Sequence, residues 1–580
     1  MVTANNAVVV VVAACVAAAL VAGAAGSGVT LRATPGTLPH SGANVTVSWT
    51  GVTHPSVDDF VALYVPAGNP DSKYFGKYMA TNATGWKSGS GSFVIADAVL
   101  NFRQPLQLRL FSRASADVDA LAVVAVSNNV APANPNEPTM GHLALGEAAG
   151  SMSISWTTRD LGTPMVRWGA SPDSLDAQAP ATTTTYTTGD LCNAPANESV
   201  NFIKPGSLHT AVMTGLKPGA TVYYTYGSEA FGWAEVASFV APVPAGAEQG
   251  VKVAVFGDLG VALPFTIGPE QQPPAKKTLQ WVRKHDPQLV LHVGDISYAR
   301  GYSFLWEYFF DHIEDLATSR PWMVGVGNHE WDYEHPPPND PSRVPWRPPF
   351  ANYGTDSGGE CGVPYMKRFA MPNANVSSNL YYSFDFGNVH FVTLSSETDF
   401  VAGSPQWTWL AADLESVDRT ITPWLVVSLH RPMLSSSHGN MNSKLVDQFA
   451  IAFEPLFLKH GVDLVLTGHV HKYERSEPMK SLYPERAIGA PGHPIYVVLG
   501  MAGHTFQMPW SQYSSNHFFQ PAWSVFRTAN WGYCMIETTA DTLTFQYRGD
   551  QSDGVHDEIV LSRSVQAAHR ARLAAGHGRD

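Results

Sequence analysis

Five short apolar runs recur between residues 251 and 467, and polar side chains follow each of them within a few positions. The runs are VKVAVF (251–256), LVLHV (289–293), PWMVGV (321–326), PWLVVS (423–428) and VDLVLT (462–467). Short runs rich in valine and leucine and bounded by glycine predict buried strands. Because ligands in open α/β sheets bind at the carboxyl ends of the strands, we expect the polar groups that follow to share one site.

Helical patterns lie between these predicted strands. PAKKTLQWVRKH (274–285) opens on a proline, while SFLWEYFFDHIEDLA (303–317) and SPQWTWLAADLESVD (404–418) each begin with a serine suited to cap a helix. The alternation of strands and helices predicts an α/β layered domain over residues 251–563. The remaining residues, 564–580, are polar and basic, and we expect a flexible tail there.

The first part of the chain shows a different pattern, because strand-like segments follow one another with only turn residues between them. They fall into two groups, 28–130 and 135–243, with a Pro/Asn-rich linker at 131–140 and a second linker at 242–250. Closely spaced strands predict β-sandwiches of the immunoglobulin or fibronectin-III type. The predicted fold class is therefore multidomain α+β, with two N-terminal β-sandwich modules before an α/β sandwich.

The N-terminal segment indicates entry into the secretory pathway. Residues 7–22 are apolar, and Ala22-Gly23-Ala24 fits the cleavage pattern of a signal peptide spanning 1–24. Because neither Lys nor Arg precedes the apolar run, an uncleaved anchor is the alternative. Four Asn-x-Ser/Thr sequons fit a glycosylated protein of this pathway: Asn44, Asn82, Asn197 and Asn375. We expect the protein to be secreted or vacuolar and to have no membrane association after cleavage.

Three cysteines remain after signal cleavage, namely Cys192, Cys361 and Cys534. One disulfide and one free thiol is the simplest arrangement, and we favour the pair Cys192–Cys361, although the sequence leaves the other pairings open. The net charge of −13 argues against nucleic-acid binding, for which a basic face is typical. Any site for phosphate in this acidic protein would need positive charge from a bound metal.

Seven side chains after the apolar runs have the donor chemistry of a mixed metal site: Asp258, Asp295, Tyr298, Asn328, His430, His469 and His471. Oxygen donors suit hard ferric and divalent ions, while imidazole suits iron, zinc and manganese. Asp295 and Tyr298 are three apart and would share a face on a helical turn. His469 and His471 are two apart and would share a face on an extended segment.

Two cations about 3.5–4 Å apart can hold a bridging hydroxide and bind both the attacking and the leaving oxygen of a phosphoester. A ferric and a divalent ion together carry five positive charges, of which two aspartates and a phenolate cancel three. About two positive charges then remain to attract a phosphate anion. This pattern predicts a two-metal phosphoester hydrolase.

The five clusters together resemble the motif set of the purple acid phosphatases, which are metallophosphoesterases, and cover about residues 250–550 in the expected order. Other matching phrases are SISWTT (153–158), GSLHTAVMTGLKPG (206–219), GGECGVP (358–364) and DGVHDEIVL (553–561). The region 28–245 resembles the long plant-type members, in which an extra β module precedes a fibronectin-III-like one. The resemblance thus implies that 251–563 is the catalytic metallophosphoesterase domain.

The resemblance also implies roles for individual residues. Asp258, Tyr298 and His471 would bind Fe(III), Asp295 would bridge, and Asn328, His430 and His469 would complete a divalent site for Zn, Mn or Fe. His329 would contact the phosphate or the leaving group, and His438 is the nearest candidate for a second histidine of this kind. The implied reaction is direct attack of metal-bound hydroxide on a small phosphomonoester at acidic pH, without a covalent phosphoenzyme.

Other functions stay open on the sequence alone. The same motifs fit a phosphodiesterase or nucleotide pyrophosphatase, a non-catalytic phosphate-binding glycoprotein, or peroxide chemistry at a redox-active iron. His335 and His504 lie in Gly/Pro-rich loops that could reach the site, and the Pro-rich segment 334–350 could control substrate access. The β modules are expected to give structural support, with homodimerisation and control of substrate access as other roles.

Overall fold

The computed structural model of the chain describes residues 28–96, 99–113, 115, 120–263, 273–332, 354–437, 443–483, 485–506, 520–549 and 552–575. The predicted signal peptide, His335, His438 and the Pro-rich segment 334–350 therefore lie outside the described residues. The chain divides into two compact units. The first contains residues up to 99 and 104–133, and the second contains 100–103, 134–262 and the chain from 273 onward.

The first unit is a β module built on alternating side chains. On the third strand Val45, Val47 and Trp49 are buried and the residues between them are not, as the period of two requires. The strands are β1 (Thr30–Thr34), β2 (Thr37–Leu38), β3 (Val45–Thr50), β4 (Phe60–Tyr64), β5 (Gly76–Met79), β6 (Gly91–Ile95), β7 (Gln107–Arg113), β8 (Leu121–Val126) and β9 (Ala131–Pro132). They form antiparallel sheets β1-β3-β6 and β5-β4-β7-β8, with a short parallel pair of β2 and β9.

The second unit begins with another β-sandwich. Its sheets have the orders β10-β11-β15-β14 and β13-β12-β16-β17, and β18 pairs with β16. The tryptophan of SISWTT, Trp156, is buried between them beside Tyr226. The strands are β10 (Thr139–Leu145), β11 (Met152–Thr158), β12 (Met165–Gly169), β13 (Ala177–Pro180), β14 (Thr182–Thr184), β15 (Ser207–Met213), β16 (Thr221–Ser228), β17 (Gly232–Trp233) and β18 (Ala237–Val240).

The α/β domain contains two mixed sheets with the orders β21-β20-β19-β30-β31-β32 and β22-β23-β24-β25-β28-β26-β27, and β29 pairs with β26. All five predicted apolar runs form strands, which are parallel within each sheet. The bounds are β19 (Lys252–Phe256), β20 (Leu289–Val293), β21 (Trp322–Gly325), β22 (Tyr382–Phe386), β23 (Val389–Leu394), β24 (Trp424–Leu429), β25 (Leu464–Thr467), β26 (Tyr473–Ser481), β27 (Ala487–Ile488), β28 (Ile495–Leu499), β29 (Ser524–Thr528), β30 (Gly532–Thr538), β31 (Thr542–Gly549) and β32 (Gly554–Ser562).

Helices pack on these sheets through apolar faces. Leu410 and Leu414 of one helix and Phe449 and Phe453 of the next are buried against β23, β24 and β25. The helices are α1 (Pro273–His285), α2 (Phe304–Ala317), α3 (Asn328–Trp331), α4 (Val363–Arg368), α5 (Ala374–Ser377), α6 (Pro405–Ser416), α7 (Ser443–His460) and α8 (Arg563–Ala574). Within the described ranges, these helices are too short or too polar to cross a membrane. The predicted multidomain α+β fold class is confirmed.

The β-sandwich of the second unit is tied to the α/β domain by buried contacts. Cys192 and Cys361 form the expected disulfide, with a Cα–Cα distance of 6.2 Å, and Cys534 is free and buried. The backbone amide of Gly141 and the hydroxyl of Tyr226 both donate to the same carboxylate oxygen of Glu314 on α2. This module is therefore positioned rigidly against a helix of the α/β domain.

Two local predictions are wrong. Ser404 caps α6 by accepting from the Trp407 amide, but Ser303 does not cap α2, since its Oγ accepts from the Ile203 amide instead. The predicted flexible tail is helix α8 up to residue 574, because Gln566 and His569 on one of its faces are buried. Residues 576–580 lie outside the described ranges.

The His390 side chain predicts a pH-dependent contribution to stability. Its ring nitrogens lie 2.6 Å from an Asp385 oxygen and 3.1 Å from an Asp413 oxygen. Burial alone would lower the pKa of His390, but the two carboxylates raise it to about 9. Because an unfolded histidine has a pKa of about 6.5, this stabilisation is complete below that pH and is lost as the pH rises towards 9.

We therefore expect His390→Gln to lower the melting temperature at pH 5.5 and to lower it much less at pH 9.5. His556→Gln, on exposed β32, is the control and should change the melting temperature little at either pH. Equal losses for His390→Gln at both pH values would contradict the assignment.

Candidate metal centre

Seven polar side chains converge where parallel strands of the two sheets end. Asp258 follows β19, Asp295 and Tyr298 follow β20, and Asn328 opens α3 after β21. From the second sheet, His430 follows β24, and His469 and His471 follow β25. Each is almost completely buried, with exposed fractions between 0% and 7%. The structure thus brings together all seven residues that the sequence indicated.

Asp258, Tyr298 and His471 form the first group of donors. The Tyr298 hydroxyl lies 2.9 Å from Asp258 Oδ1 and 2.9 Å from His471 Nε2. His471 Nδ1 donates to the Thr505 carbonyl at 2.6 Å, so the lone pair of its Nε2 faces the site. A carboxylate, a phenol and an imidazole therefore direct their donor atoms at one point.

Asn328, His430 and His469 form the second group. Asn328 Oδ1 lies 3.0 Å from His430 Nε2 and 2.8 Å from His469 Nδ1. His430 Nδ1 donates to the Val293 carbonyl at 3.0 Å, which again directs the other ring nitrogen into the site. This group offers one amide oxygen and two imidazole nitrogens.

The Asp295 carboxylate belongs to both groups. Its oxygens lie within 4.8 Å of the ligand atoms of His430 and His469 on one side, and of Asp258 and His471 on the other. Its Oδ1 accepts a hydrogen bond from the His329 amide. Its Oδ2 is buried, and among the described residues it makes no hydrogen bond of good geometry. His430 Nε2 lies 3.2 Å from Oδ2. The arrangement is that of a carboxylate placed between two cations.

The electrostatics of the site fit bound cations. Burial would raise the pKa of Asp295, but His430 and His329 hold it well below its usual range. Burial would lower the pKa of His430, but Asp295 and Asp258 raise it to about 10. A proton on His430 therefore compensates the buried carboxylates in the protein without metal, and a metal ion would take over that role.

The backbone at four of the donors is neither helical nor extended. Asp258, Asp295, Tyr298 and His469 all have positive φ, between 48° and 65°. The expected helical turn for Asp295 and Tyr298 and the expected extended segment for His469 and His471 are thus wrong, although each pair still faces the site. Such left-handed residues cost about 1–3 kcal/mol each and cluster at functional sites.

Two glycines permit the close approach of the donors. A Cβ on Gly294, which has φ +75°, would lie 2.4 Å from His430 Nδ1. A Cβ on Gly327 would lie 2.2 Å from Asp295 Oδ1. The glycines of GDISY and GNHE are therefore required by the packing of the donors themselves.

Of the two predicted catalytic histidines, only His329 lies in the described part of the chain. Its Nε2 is 3.9 Å from Asp295 Oδ2, its Nδ1 donates to the Asp356 carbonyl, and its ring lies 4.5 Å from that of Tyr298. His504, one of the two loop histidines, also reaches the site, with its ring stacked on Tyr298.

Residues that the sequence did not indicate hold the donors in place. Asp356 accepts from Asn328 Nδ2 at 3.0 Å, which turns the amide oxygen of Asn328 towards the two histidines. Glu330 accepts from the amides of Ile296 and Gly327 and so ties the loops after β20 and β21 together. Glu330 stands two positions after Asn328, whereas no local sequence pattern marks Asp356.

A buried ionic network lies beside His469. Arg431 pairs with Glu397 at 2.9 Å and with Asp332 at 2.8 Å, and one of its nitrogens is 3.5 Å from His469 Nε2. Because Arg431 directly follows His430, it links the two histidines of the second group. These residues position ligands and are not themselves candidate donors.

The chain matches three family models in succession. They are the purple acid phosphatase N-terminal domain over residues 138–241, the calcineurin-like phosphoesterase over 251–473, and the iron/zinc purple acid phosphatase-like protein C over 493–558. Two relatives come from Arabidopsis thaliana. "Probable inactive purple acid phosphatase 9" is 36% identical, covering 93% of this chain and 87% of the relative, and "Purple acid phosphatase 21" is 31% identical, covering 74% and 86%.

A solved structure has the same fold over nearly the whole length. The purple acid phosphatase PPD1 from seeds of yellow lupin (Lupinus luteus) superposes with a TM-score of 0.80 at 27% identity, and the match covers 93% of this chain and 96% of the lupin chain.

The support that Asp356 gives to Asn328 predicts an effect on metal binding. Replacing it by alanine should weaken binding at the second donor group by about 10- to 100-fold, because outer partners that orient a ligand typically contribute that much. Titration of the metal-free protein with Zn²⁺ or Mn²⁺ against a competing chelator measures this. Asp286→Ala, at an exposed loop paired with Arg320, is the control and should bind like the wild type. Unchanged affinity for Asp356→Ala would contradict the role.

Proposed function

Because the chain belongs to the purple acid phosphatase family, we propose that it is a binuclear-metal acid phosphatase that hydrolyses small phosphomonoesters. The observation that carries the proposal is the Asp295 carboxylate, which lies within reach of both donor groups. A site with one shared carboxylate and two separate sets of three donors suits two ions rather than one.

The donor chemistry supports a different ion in each group. Asp258, Tyr298 and His471 would hold Fe(III), because a phenol and a carboxylate favour a hard, highly charged ion. Asn328, His430 and His469 would hold a divalent ion, Zn, Mn or Fe, since an amide oxygen and two imidazoles add no negative charge. When bound, such a pair lowers the pKa of coordinated water and polarises the phosphoryl oxygens.

The contribution of His329 is a proton at its Nε2. Because Nδ1 donates to the Asp356 carbonyl, Nε2 faces the site and can donate to a leaving oxygen only when protonated. Burial lowers its pKa to about 4, Asp295 opposes that effect and Arg300 adds to it. A histidine that is protonated only at low pH supports an acidic optimum. A second histidine that contacts the phosphate or the leaving group, for which His438 is the candidate, stays a prediction.

Relatives of this chain carry both kinds of name, because four of them are named probable inactive purple acid phosphatases and others purple acid phosphatases. In this chain all seven candidate donor side chains lie together, which supports catalysis over a purely binding role. A phosphodiesterase or nucleotide pyrophosphatase activity is the second candidate, because two metal sites of this geometry accept either ester. The non-catalytic phosphate-binding glycoprotein is the third.

We further propose that the protein follows the secretory route to the cell exterior or the vacuole. Asn44, Asn82 and Asn197 are exposed, as glycosylation at their sequons requires. The predicted signal peptide 1–24 supports the same route.

The substrate class is tested by kcat/KM for a chromogenic phosphomonoester and the matching diester between pH 4 and 8. We expect preference for the monoester, because a diester carries at most one negative charge and is held less strongly by the cations. We expect an optimum on the acidic side, because His329 carries a proton only at low pH. Preference for the diester would instead establish the phosphodiesterase, and absence of both activities would leave the binding role.

Asp295 is the donor whose substitution should most reduce both activity and metal binding. Asp295→Asn removes the shared charge, so we expect loss of measurable turnover together with a fall in bound metal. Asp286→Asn, at the exposed loop, is the matched control and should change neither quantity. Full activity of Asp295→Asn with both metals retained would refute the assignment.

A further inference from the structure

His504 belongs to the loop that follows β28, and it packs directly on one candidate ligand. Its ring stacks on Tyr298 with centroids 3.8 Å apart and planes 21° apart, and it is 6% exposed. The same loop also contacts the two other members of the first donor group. The Thr505 carbonyl accepts from His471, and the Asp258 carbonyl accepts from the His504 amide at 3.0 Å.

Arg300 completes this arrangement from the other strand end. Its guanidinium lies over the Tyr298 ring, 5.4 Å from the centroid, and one of its nitrogens donates to His504 Nε2 at 3.2 Å. Because arginine is only a donor, His504 accepts this bond at Nε2. On the other side of the ring, His504 Nδ1 lies 3.2 Å from Thr505 Oγ1 and 3.3 Å from His471 Nδ1. The His504 ring is thus held from both edges as well as by its stacking on Tyr298.

The backbone of Arg300 is fixed by the disulfide region. A Cβ on Gly358 would lie 2.0 Å from the Arg300 carbonyl, and a Cβ on Gly301 would lie 2.6 Å from the Gly358 carbonyl. The Gly359 carbonyl, beside Gly358, accepts from the Cys192 amide at 2.9 Å, two positions before Cys361, which closes the disulfide. Arg300 also has a left-handed φ of 49°, which the surrounding contacts impose.

We propose that His504 and Arg300 are positioning residues for the Tyr298 phenolate: His504 fixes the ring by stacking, and the Arg300 charge stabilises the phenolate electronically. This inference rests on the ferric ion of the proposed function and goes beyond it. Three donors and two supporting side chains then form one packed unit, so the orientation of Tyr298 is set before any metal binds.

The Arg300 charge has a spectroscopic consequence of known sign. Light absorption by a phenolate bound to Fe(III) moves an electron from the ring to the metal. A positive charge above the ring holds that electron more strongly in the ground state, so it raises the excitation energy. Removing the charge must therefore move the absorption band to longer wavelength. A loss of packing alone would not shift the band in a defined direction.

The test uses absorption spectra and iron content of the purified full-length protein loaded with iron. We expect Arg300→Gln to shift the band to longer wavelength and Arg300→Lys, which keeps the charge, to restore it towards the wild-type position. Arg320→Gln, a surface arginine paired with Asp286 before β21, is the matched control and should leave the band unchanged. If Arg300→Gln kept its iron and its absorption band did not move, the proposed stabilisation of the phenolate by the Arg300 charge would be overturned.

The stacking part is tested at His504. We expect His504→Ala to lose iron on dialysis and His504→Phe, which keeps a flat ring over Tyr298, to retain it. Full retention in His504→Ala, or equal loss in both variants, would overturn the stacking role. A colourless iron-loaded wild type that hydrolyses phosphomonoesters would overturn this inference alone, whereas a coloured but inactive one would overturn the proposed function alone.

Discussion

The structure depends on one buried carboxylate that two sets of donors share. Asp295 is 1% exposed and faces imidazole nitrogens on one side and a carboxylate on the other. A buried negative charge of this kind is costly unless positive charge lies beside it. In the protein alone, His430 supplies that charge. Two bound metal ions would place more positive charge beside Asp295, so ion binding would stabilise this buried carboxylate further.

The surrounding architecture meets the geometric demands of this centre. Two sheets end their parallel strands at the same place, so donors from β19, β20, β21, β24 and β25 meet without a long loop. Left-handed turns then aim the side chains inward, and glycines such as Gly294 and Gly327 leave room for their neighbours. The β-sandwich joined by the Cys192–Cys361 disulfide stiffens the loop that carries Arg300.

Much of this could be predicted from the chain because strand ends are marked locally. Apolar runs followed by Gly-Asp, Gly-Asn-His, Leu-His or Gly-His mark both the strand and the polar residues after it, so the sequence indicates all seven side chains that converge at the site. Backbone conformation was not predictable in the same way: the φ of 48° at Asp295 is imposed by contacts with distant residues. Asp356 and the buried face of α8 depend on partners far along the chain, which no local pattern reports.

We propose that two ions bind in this protein, one on each side of Asp295. Anomalous diffraction from crystals of the purified protein, collected at the iron edge and at the edge of the second metal, tests it most directly. We expect two peaks per chain, with iron beside Asp258, Tyr298 and His471 and the second ion beside Asn328, His430 and His469. A single peak, or two peaks that Asp295 does not contact, would contradict it.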